Sequence, residues 1–244
     1  MNGAAVRHVV VLAPMPLEMD AITKAFGLQP VGEDPTQAWI GRLGGSDVTA
    51  IHTGMGPALT RGALGDLLDE SHPGHRTIEQ VMSVGICGGL DPAVEVGTLV
   101  IPKTVIEHAT GVAYAHRPPG PFHVRGTLMT MAEAVLDHDL SQQFLAEGSL
   151  AVDMESAAVA GMCQSRQVPW AIYRCIGDRW CDGLLDERVL AATNQDGSGD
   201  PEALSILLKD PVIRSNLERL GHETSMAARL AAEAAVSGCL ALDD

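Results

Sequence analysis

Aromatic residues are scarce in this 244-residue chain: Phe, Trp and Tyr together make up 3% of it. The core must therefore be assembled from Ala, Val, Leu and Ile, and a binding site has few rings on which a flat ligand could stack. Basic residues are thin as well. Sixteen Lys and Arg stand against 31 Asp and Glu, a formal net charge of −15, with no basic cluster to offset it. A phosphodiester backbone or an anionic membrane surface would be repelled, so neither nucleic acid nor membrane is expected as a partner. The five cysteines form no CxxC pair and no metal-ligand spacing with histidine. They read as reduced thiols acting as small apolar fillers, and no metal is expected. No run approaches the roughly 20 apolar residues of a membrane-spanning helix. The apolar stretch Val9 to Leu12 is far too short for the core of a secretory signal, so the expected location is cytoplasmic.

What is present is globular in composition, with 46% hydrophobic and 19% charged residues. The expected fold class is α/β: a single domain spanning 1–244, with a mixed twisted β-sheet flanked by helices. His8 to Leu12, Val81 to Val84 and Trp170 to Ile176 are β-branched or apolar runs of the kind buried on both faces of a sheet. Pro14 and Pro16 break the first run, and Leu17 to Phe26 reads as a helix closed near Gly27. Ala38 to Leu43 and Val48 to His52, separated by Gly44-Gly45-Ser46-Asp47, predict a hairpin. Helices are predicted over Pro57 to Glu70 and Met154 to Ser165. Further strands are predicted over Thr98 to Ile106 and Thr127 to Met131. Short helical stretches occupy 183 to 202, and helical periodicity resumes from Ala203 onward.

Open α/β sheets bind ligands beyond the carboxyl ends of their strands, and unusual residues stand at these places. The first strand leads to Glu18 on the opening turn of a helix, where a carboxylate also favours the helix dipole. The middle strand leads to a glycine turn, Gly85-Ile86-Cys87-Gly88-Gly89. That spacing is not GxGxxG, and Leu90-Asp91-Pro92 does not open the helix a dinucleotide site needs, so no cofactor is expected. The last strand leads to Asp178. In Ala151-Val152-Asp153-Met154-Glu155-Ser156, Asp153 suits a helix N-cap, while Glu155 follows an apolar segment and precedes small helix-packing residues.

Four segments carry a resemblance: LAPMPLEMDAI (12–22), SVGICGGLDPAVEVGTLVIP (83–102), AVDMESAAVAGMC (151–163) and VPWAIYRCIGDRW (168–180). In order and approximate spacing they resemble the nucleoside phosphorylase superfamily. Within it, they are similar to the bacterial methylthioadenosine/adenosylhomocysteine nucleosidases and the hopanoid-associated nucleoside phosphorylases. The resemblance implies a purine nucleosidase acting on an adenine-type, 5′-substituted nucleoside, with no cofactor and no metal, assembled as a homodimer or larger homo-oligomer. It implies that Asp178 is the general acid toward purine N7, and that Glu155 binds the ribose hydroxyls beside Met154. It further implies that Glu18 activates the attacking water, with Gly88 and Gly89 lying near base and ribose. Asp153 and Ile86 complete the expected substrate-binding set. A purine leaves poorly as an anion, so an acid on N7 is the chemistry that bond cleavage demands.

The departures define the alternatives. Where phosphorylase relatives carry phosphate-binding side chains, this sequence has Glu18, Ser83 and Ile86, which favours water over phosphate as co-substrate. Ala134 stands where the methylthioadenosine enzymes stack an aromatic on adenine, and HRPPGPF (116–122) replaces a longer segment. Phosphorolysis, and a nucleoside-binding protein with little catalysis, therefore stay open.

Overall fold

The computed structural model describes residues 6–32, 38–69, 71 and 76–243. From the N-terminus, β1 (Arg7–Ala13) leads into α1 (Pro16–Phe26). The short β2 (Gln29–Pro30), β3 (Ala38–Leu43) and β4 (Ser46–His52) follow, then α2 (Pro57–Leu67) and the long β5 (Gln80–Gly89). Next come β6 (Leu99–Val100), β7 (Thr104–Glu107), β8 (Ala113–Ala115), β9 (Thr127–Thr130), α3 (His138–Ala146), β10 (Ser149–Asp153) and α4 (Ser156–Ser165). β11 (Trp170–Arg179) ends in a 3-10 turn at Trp180–Asp182, and α5 (Glu187–Ala191), α6 (Pro201–Leu207) and α7 (Pro211–Leu240) close the chain.

All these strands join one mixed sheet in the order β2-β3-β4-β1-β5-β10-β9-β7-β8, with β11 added against β5 and β6. β1 runs parallel to β4 and β5, and β11 parallel to β5, while β10 pairs antiparallel to β5. The alternation within β1 shows why its sequence is apolar throughout. Val9, Val11 and Ala13 point into a core shared with α1 and α7, and Val10 and Leu12 into one shared with α2 and α4. A strand with helices on both faces has no polar side to offer.

The first helix is specified locally. Met15 is its N-cap, Pro16 fills the first turn where no N–H is needed, and Gly27 takes a left-handed conformation at the C-terminus with φ 67°. The predicted hairpin forms in register, with Leu43 opposite Ser46.

Three expectations are corrected. The Gly85–Gly89 segment is not a turn after a strand but the last part of β5 itself. The strand foreseen over Thr98 to Ile106 is cut in two around Pro102, which cannot donate to a ladder. α4 begins at Ser156 with Glu155 as its N-cap, so Asp153 belongs to β10 rather than capping the helix by position. The Ala-rich face of α7 is covered by its own chain. Ala227, Ala228, Ala231, Ala232, Ala234 and Ala235 are buried within this chain against β11 and α1. The Glu70 end of the helix predicted over Pro57 to Glu70 lies outside the described residues.

Candidate active site

Arg174 organises the site. It sits mid-strand in β11 opposite Gly85 of β5 and has no solvent-exposed surface. A buried guanidinium is tolerated only when anions and acceptors surround it. Nη2 lies 2.8 Å from Asp153 Oδ2, and donates to Glu155 Oε2 at 3.1 Å and to Ser83 Oγ at 3.2 Å. Nη1 lies 3.9 Å from Glu18 Oε1 and has no hydrogen-bond acceptor among the described residues. Gly85 makes room for the assembly: a Cβ there would fall 2.1 Å from Glu18 Oε1 and 2.7 Å from Arg174 Nη1.

The three carboxylates reach the arginine from three directions. Glu18, on the third residue of α1, accepts from the N–H of Met15 at 2.9 Å and of Ile86 at 2.7 Å. The two oxygens divide the work: Oε2 caps the helix at Met15 N–H, and Oε1 takes the Ile86 N–H and faces Arg174. Ile86, expected to touch substrate, contributes its backbone N–H to Glu18. Glu155 spans the cleft, accepting from Gly56 N–H with Oε1 at 2.8 Å and from Arg174 with Oε2. Asp153 is committed inward. Oδ1 accepts from Thr130 Oγ1 at 2.7 Å, and Oδ2 from Ser156 N and Oγ at 3.1 and 2.5 Å. With its oxygens so occupied, Asp153 holds Arg174 and the start of α4.

One cation facing three buried acids leaves the cluster short of positive charge. Burial, opposed by Arg174 and the Ile86 N–H, pushes the Glu18 carboxyl up to about 8. Glu155 is likewise raised by burial against the pull of Arg174, with Asp153 repelling it further. Both acids therefore hold a proton more tightly than an exposed carboxyl does.

Asp178 stands apart, at the end of β11. The pairing with β5 skips a residue between Ile176 and Asp178, so Gly177 forms a bulge. A bulge re-aims the following side chain, and Asp178 Oδ2 comes to 3.9 Å from where a Cβ on Gly88 would sit. Burial raises its carboxyl to about 6, and the negative Asp182 and Glu223 add to that. Gly88 and Gly89 lie between β10 and β11, where a Cβ would meet Val152 Cγ1 at 3.3 Å and Ile176 Cγ2 at 3.0 Å respectively. Met154 lies over the opposite wall, with Cε 3.8 Å from a Cβ built on Gly56. Among the described residues no group of His, Cys, Asp and Glu is disposed to hold a metal ion, and no helix is long and apolar enough to cross a membrane.

The sequence reading missed Arg174 and Thr130, and foresaw neither the bond that Ser83 accepts from Arg174 nor the space that Gly85 leaves for Glu18. A signal existed for the first: an arginine inside the apolar run Trp170 to Ile176 must find buried anions. A cation thus stands among the acids where the reading saw cationic positions lost.

The model of the phosphorylase superfamily matches residues 8–149 and 112–204. A 5′-methylthioadenosine/S-adenosylhomocysteine nucleosidase of Marinomonas sp. (strain MWYL1) is 27% identical over 170 residues, 57% of this chain and 71% of that protein. Among solved structures, futalosine hydrolase of Helicobacter pylori strain 26695 superposes with TM-score 0.68 at 14% identity, covering 96% of this chain and 97% of the other. The S-adenosylhomocysteine nucleosidase of Streptococcus pyogenes, in complex with 5-methylthiotubericidin, gives TM-score 0.70 at 14% identity, with 98% of each chain covered.

Proposed function

Because the chain belongs to the phosphorylase superfamily, we propose that its carboxylate cluster hydrolyses the N-glycosidic bond of a purine nucleoside, adenine-type and 5′-substituted, to free base and sugar. The observation that carries the choice of water over phosphate is the state of Arg174. It is fully buried and already shared among three carboxylates, so a phosphate dianion entering the cluster meets acids on every side. At about 4 Å, each ionised carboxylate would cost it several kcal/mol at an effective dielectric near 20. The curated nucleosidase relatives support the same reading.

In this mechanism the base lies at Asp178 and the ribose against Glu155 and Met154, with Gly88 and Gly89 close by. Asp178 gives its proton to purine N7 as the bond between the anomeric carbon and N9 breaks, so the base departs neutral. Positive charge grows on the ribose and is stabilised by the neighbouring carboxylate of Glu155. Water adds to the anomeric carbon and loses its proton to Glu18, while Arg174 Nη1, which has no acceptor among the described residues, orients that water. A cytoplasmic homo-oligomer that requires no cofactor and no metal completes the proposal. Its test is a panel of nucleosides assayed for free base with and without phosphate. Release at full rate in phosphate-free buffer, with free sugar as co-product, is expected. Strict dependence on phosphate with a sugar 1-phosphate product would overturn hydrolysis, and tight binding without turnover would overturn catalysis.

A further inference from the structure

The charge around Asp178 is arranged as two ion pairs. Arg179, the next residue of β11, gives Nε and Nη2 to Asp182 at 3.0 and 2.8 Å, and Nη1 to Pro92 O at 3.1 Å. All three of its nitrogens are thus engaged elsewhere than on Asp178. Arg219, on α7, gives Nε to Glu223 Oε1 one helical turn on, at 2.8 Å, and its Nη2 lies 4.0 Å from Asp182 Oδ2. Neither arginine relieves Asp178: burial raises its carboxyl, and Asp182 and Glu223 raise it further.

Each pair has its acid inside and its base outside. The Asp182 side chain is 8% exposed against 23% for Arg179, and that of Glu223 17% against 50% for Arg219. Water screens the outer guanidinium groups, while the inner carboxylates act through a less polar medium. Glu223 Oε2 is buried and has no hydrogen-bond donor among the described residues. Such an orphan is costly and rare, and nothing local offsets its charge. Both acids are also fixed in place. Trp180 Nε1 donates to Leu90 O at 2.8 Å with the His138 ring of α3 against it, which pins the 3-10 turn that carries Asp182. On α7, Thr224 Cγ2 lies 3.4 Å from where a Cβ on Gly177 would sit, so the neighbour of Glu223 rests on the bulge that directs Asp178. The remaining titratable group at hand, the Cys87 thiol on β5, is kept neutral by burial.

We propose that Asp182 and Glu223 are positioning residues for the general-acid step, each engaging an arginine and presenting its own charge inward, so that Asp178 keeps its proton until the departing base takes it. This rests on the nucleosidase reading above. Only a carboxyl that still carries its proton can turn the base into a neutral leaving group. Stripped of their partners, Arg179 and Arg219 would be two uncompensated cations near Asp178 and would favour its ionised form. No movement of either arginine is required, because the loss of the inner carboxylate changes the field by itself.

The test has two readouts. The Asp178 carboxyl is titrated by carbon-13 NMR in the ligand-free chain, its signal assigned by its loss in Asp178→Asn. Base release from adenosine, inosine and 5′-methylthioadenosine is followed as kcat/KM against pH. In Glu223→Gln and in Asp182→Asn the proton affinity of Asp178 should fall about tenfold. The low-pH limb of kcat/KM should move down with it, and the rate at pH 7 should drop about tenfold. In an Asp178→Asn background the same substitutions should cost nothing further, which a merely structural role would not give. Arg219→Met, at a half-exposed site, should move the titration the opposite way, and decides the matter should the acid variants fail to fold. A titration unmoved in Glu223→Gln and Asp182→Asn, or lowered in Arg219→Met, would overturn the proposal. A wild-type chain that releases base from none of the three nucleosides overturns the nucleosidase reading and the catalytic role with it, while the titration, which needs no substrate, still tests the hold on the proton.

Discussion

Arg174 Nη2 approaches Asp153 Oδ2 to 2.8 Å, with the arginine side chain at 0% exposure and the aspartate at 1%. Ion pairs of this kind add little compared with an apolar replacement of both partners, but removing one partner strands the other. Arg174→Met should therefore cost on the order of 3–5 kcal/mol in urea unfolding. Arg174→Lys should recover only part of the loss, because a point charge cannot serve three carboxylates as a planar fork does. An Arg174→Met protein within about 1 kcal/mol of wild type would show that the cluster neutralises itself by proton uptake instead.

The proposed acid and base have their proton affinities inverted for their tasks. Asp178, which must be protonated, lies at about 6, and Glu18, which must be ionised, at about 8. The productive pairing is thus a minority state, of about 1% at pH 7. The pH profile of kcat/KM should be a bell with limbs near 6 and 8 that belong to the pair. A rate that climbs steadily from pH 5 to 9 would remove Asp178 as a required acid.

Asp178→Asn isolates that acid directly. The amide fills the same bulge-directed position but has no carboxylic proton to give, so base release should drop by about two to four orders of magnitude. Nucleoside affinity measured by calorimetry should hold within about tenfold, since the lost interaction is made in the transition state. Turnover within tenfold of wild type would sink the assignment.

His116 makes the fold sensitive to acid. Its Nδ1–H donates to Pro102 O at 2.6 Å, and Nε2 accepts from Ile172 N–H at 3.0 Å, so the neutral ring ties the Pro102 loop to strand β11. Burial lowers its pKa to about 4. A folded-state value below the unfolded one means that protons bind the unfolded chain preferentially. The ring's contribution is therefore complete above pH 6.5 and is lost as pH falls toward 4, in total about 3 kcal/mol. Glu18, raised by burial, acts in the opposite sense: its contribution is full below 4.5 and lost as pH rises through 8. His116→Gln should flatten the decline of Tm between pH 6.5 and 4, and an unchanged slope would assign that decline elsewhere.

Much of the architecture is legible in short-range pattern. The all-apolar strands, the Pro16 and Gly27 boundaries of the first helix and the glycine hairpin are local choices that each residue makes with its near neighbours. Glu18, Glu155 and Asp178 were conspicuous for the same reason, as carboxylates beside apolar runs. The errors are equally instructive. Gly85 to Gly89 reads as a turn because glycine so often supplies positive φ. Here β10 and β11 crowd β5 from both sides, and Gly85 admits Glu18 and Arg174, so the missing Cβ serves close approach within a strand.

The sequence by itself determined the longer strands and helices, the burial of both sheet faces and the places of Glu18, Glu155 and Asp178 beside apolar runs, because periodicity and chain punctuation are properties of neighbouring residues. Only the tertiary structure decided that Arg174 stands among Glu18, Asp153 and Glu155, which lie 156, 21 and 19 positions away from it in the chain. It alone turned Asp153 inward, buried the Ala face of α7 within its own chain and brought Gly197 onto Met15. These outcomes depend on which strands pair and in what register. They are fixed by the burial of both faces of the sheet at once, which no local stretch of sequence contains.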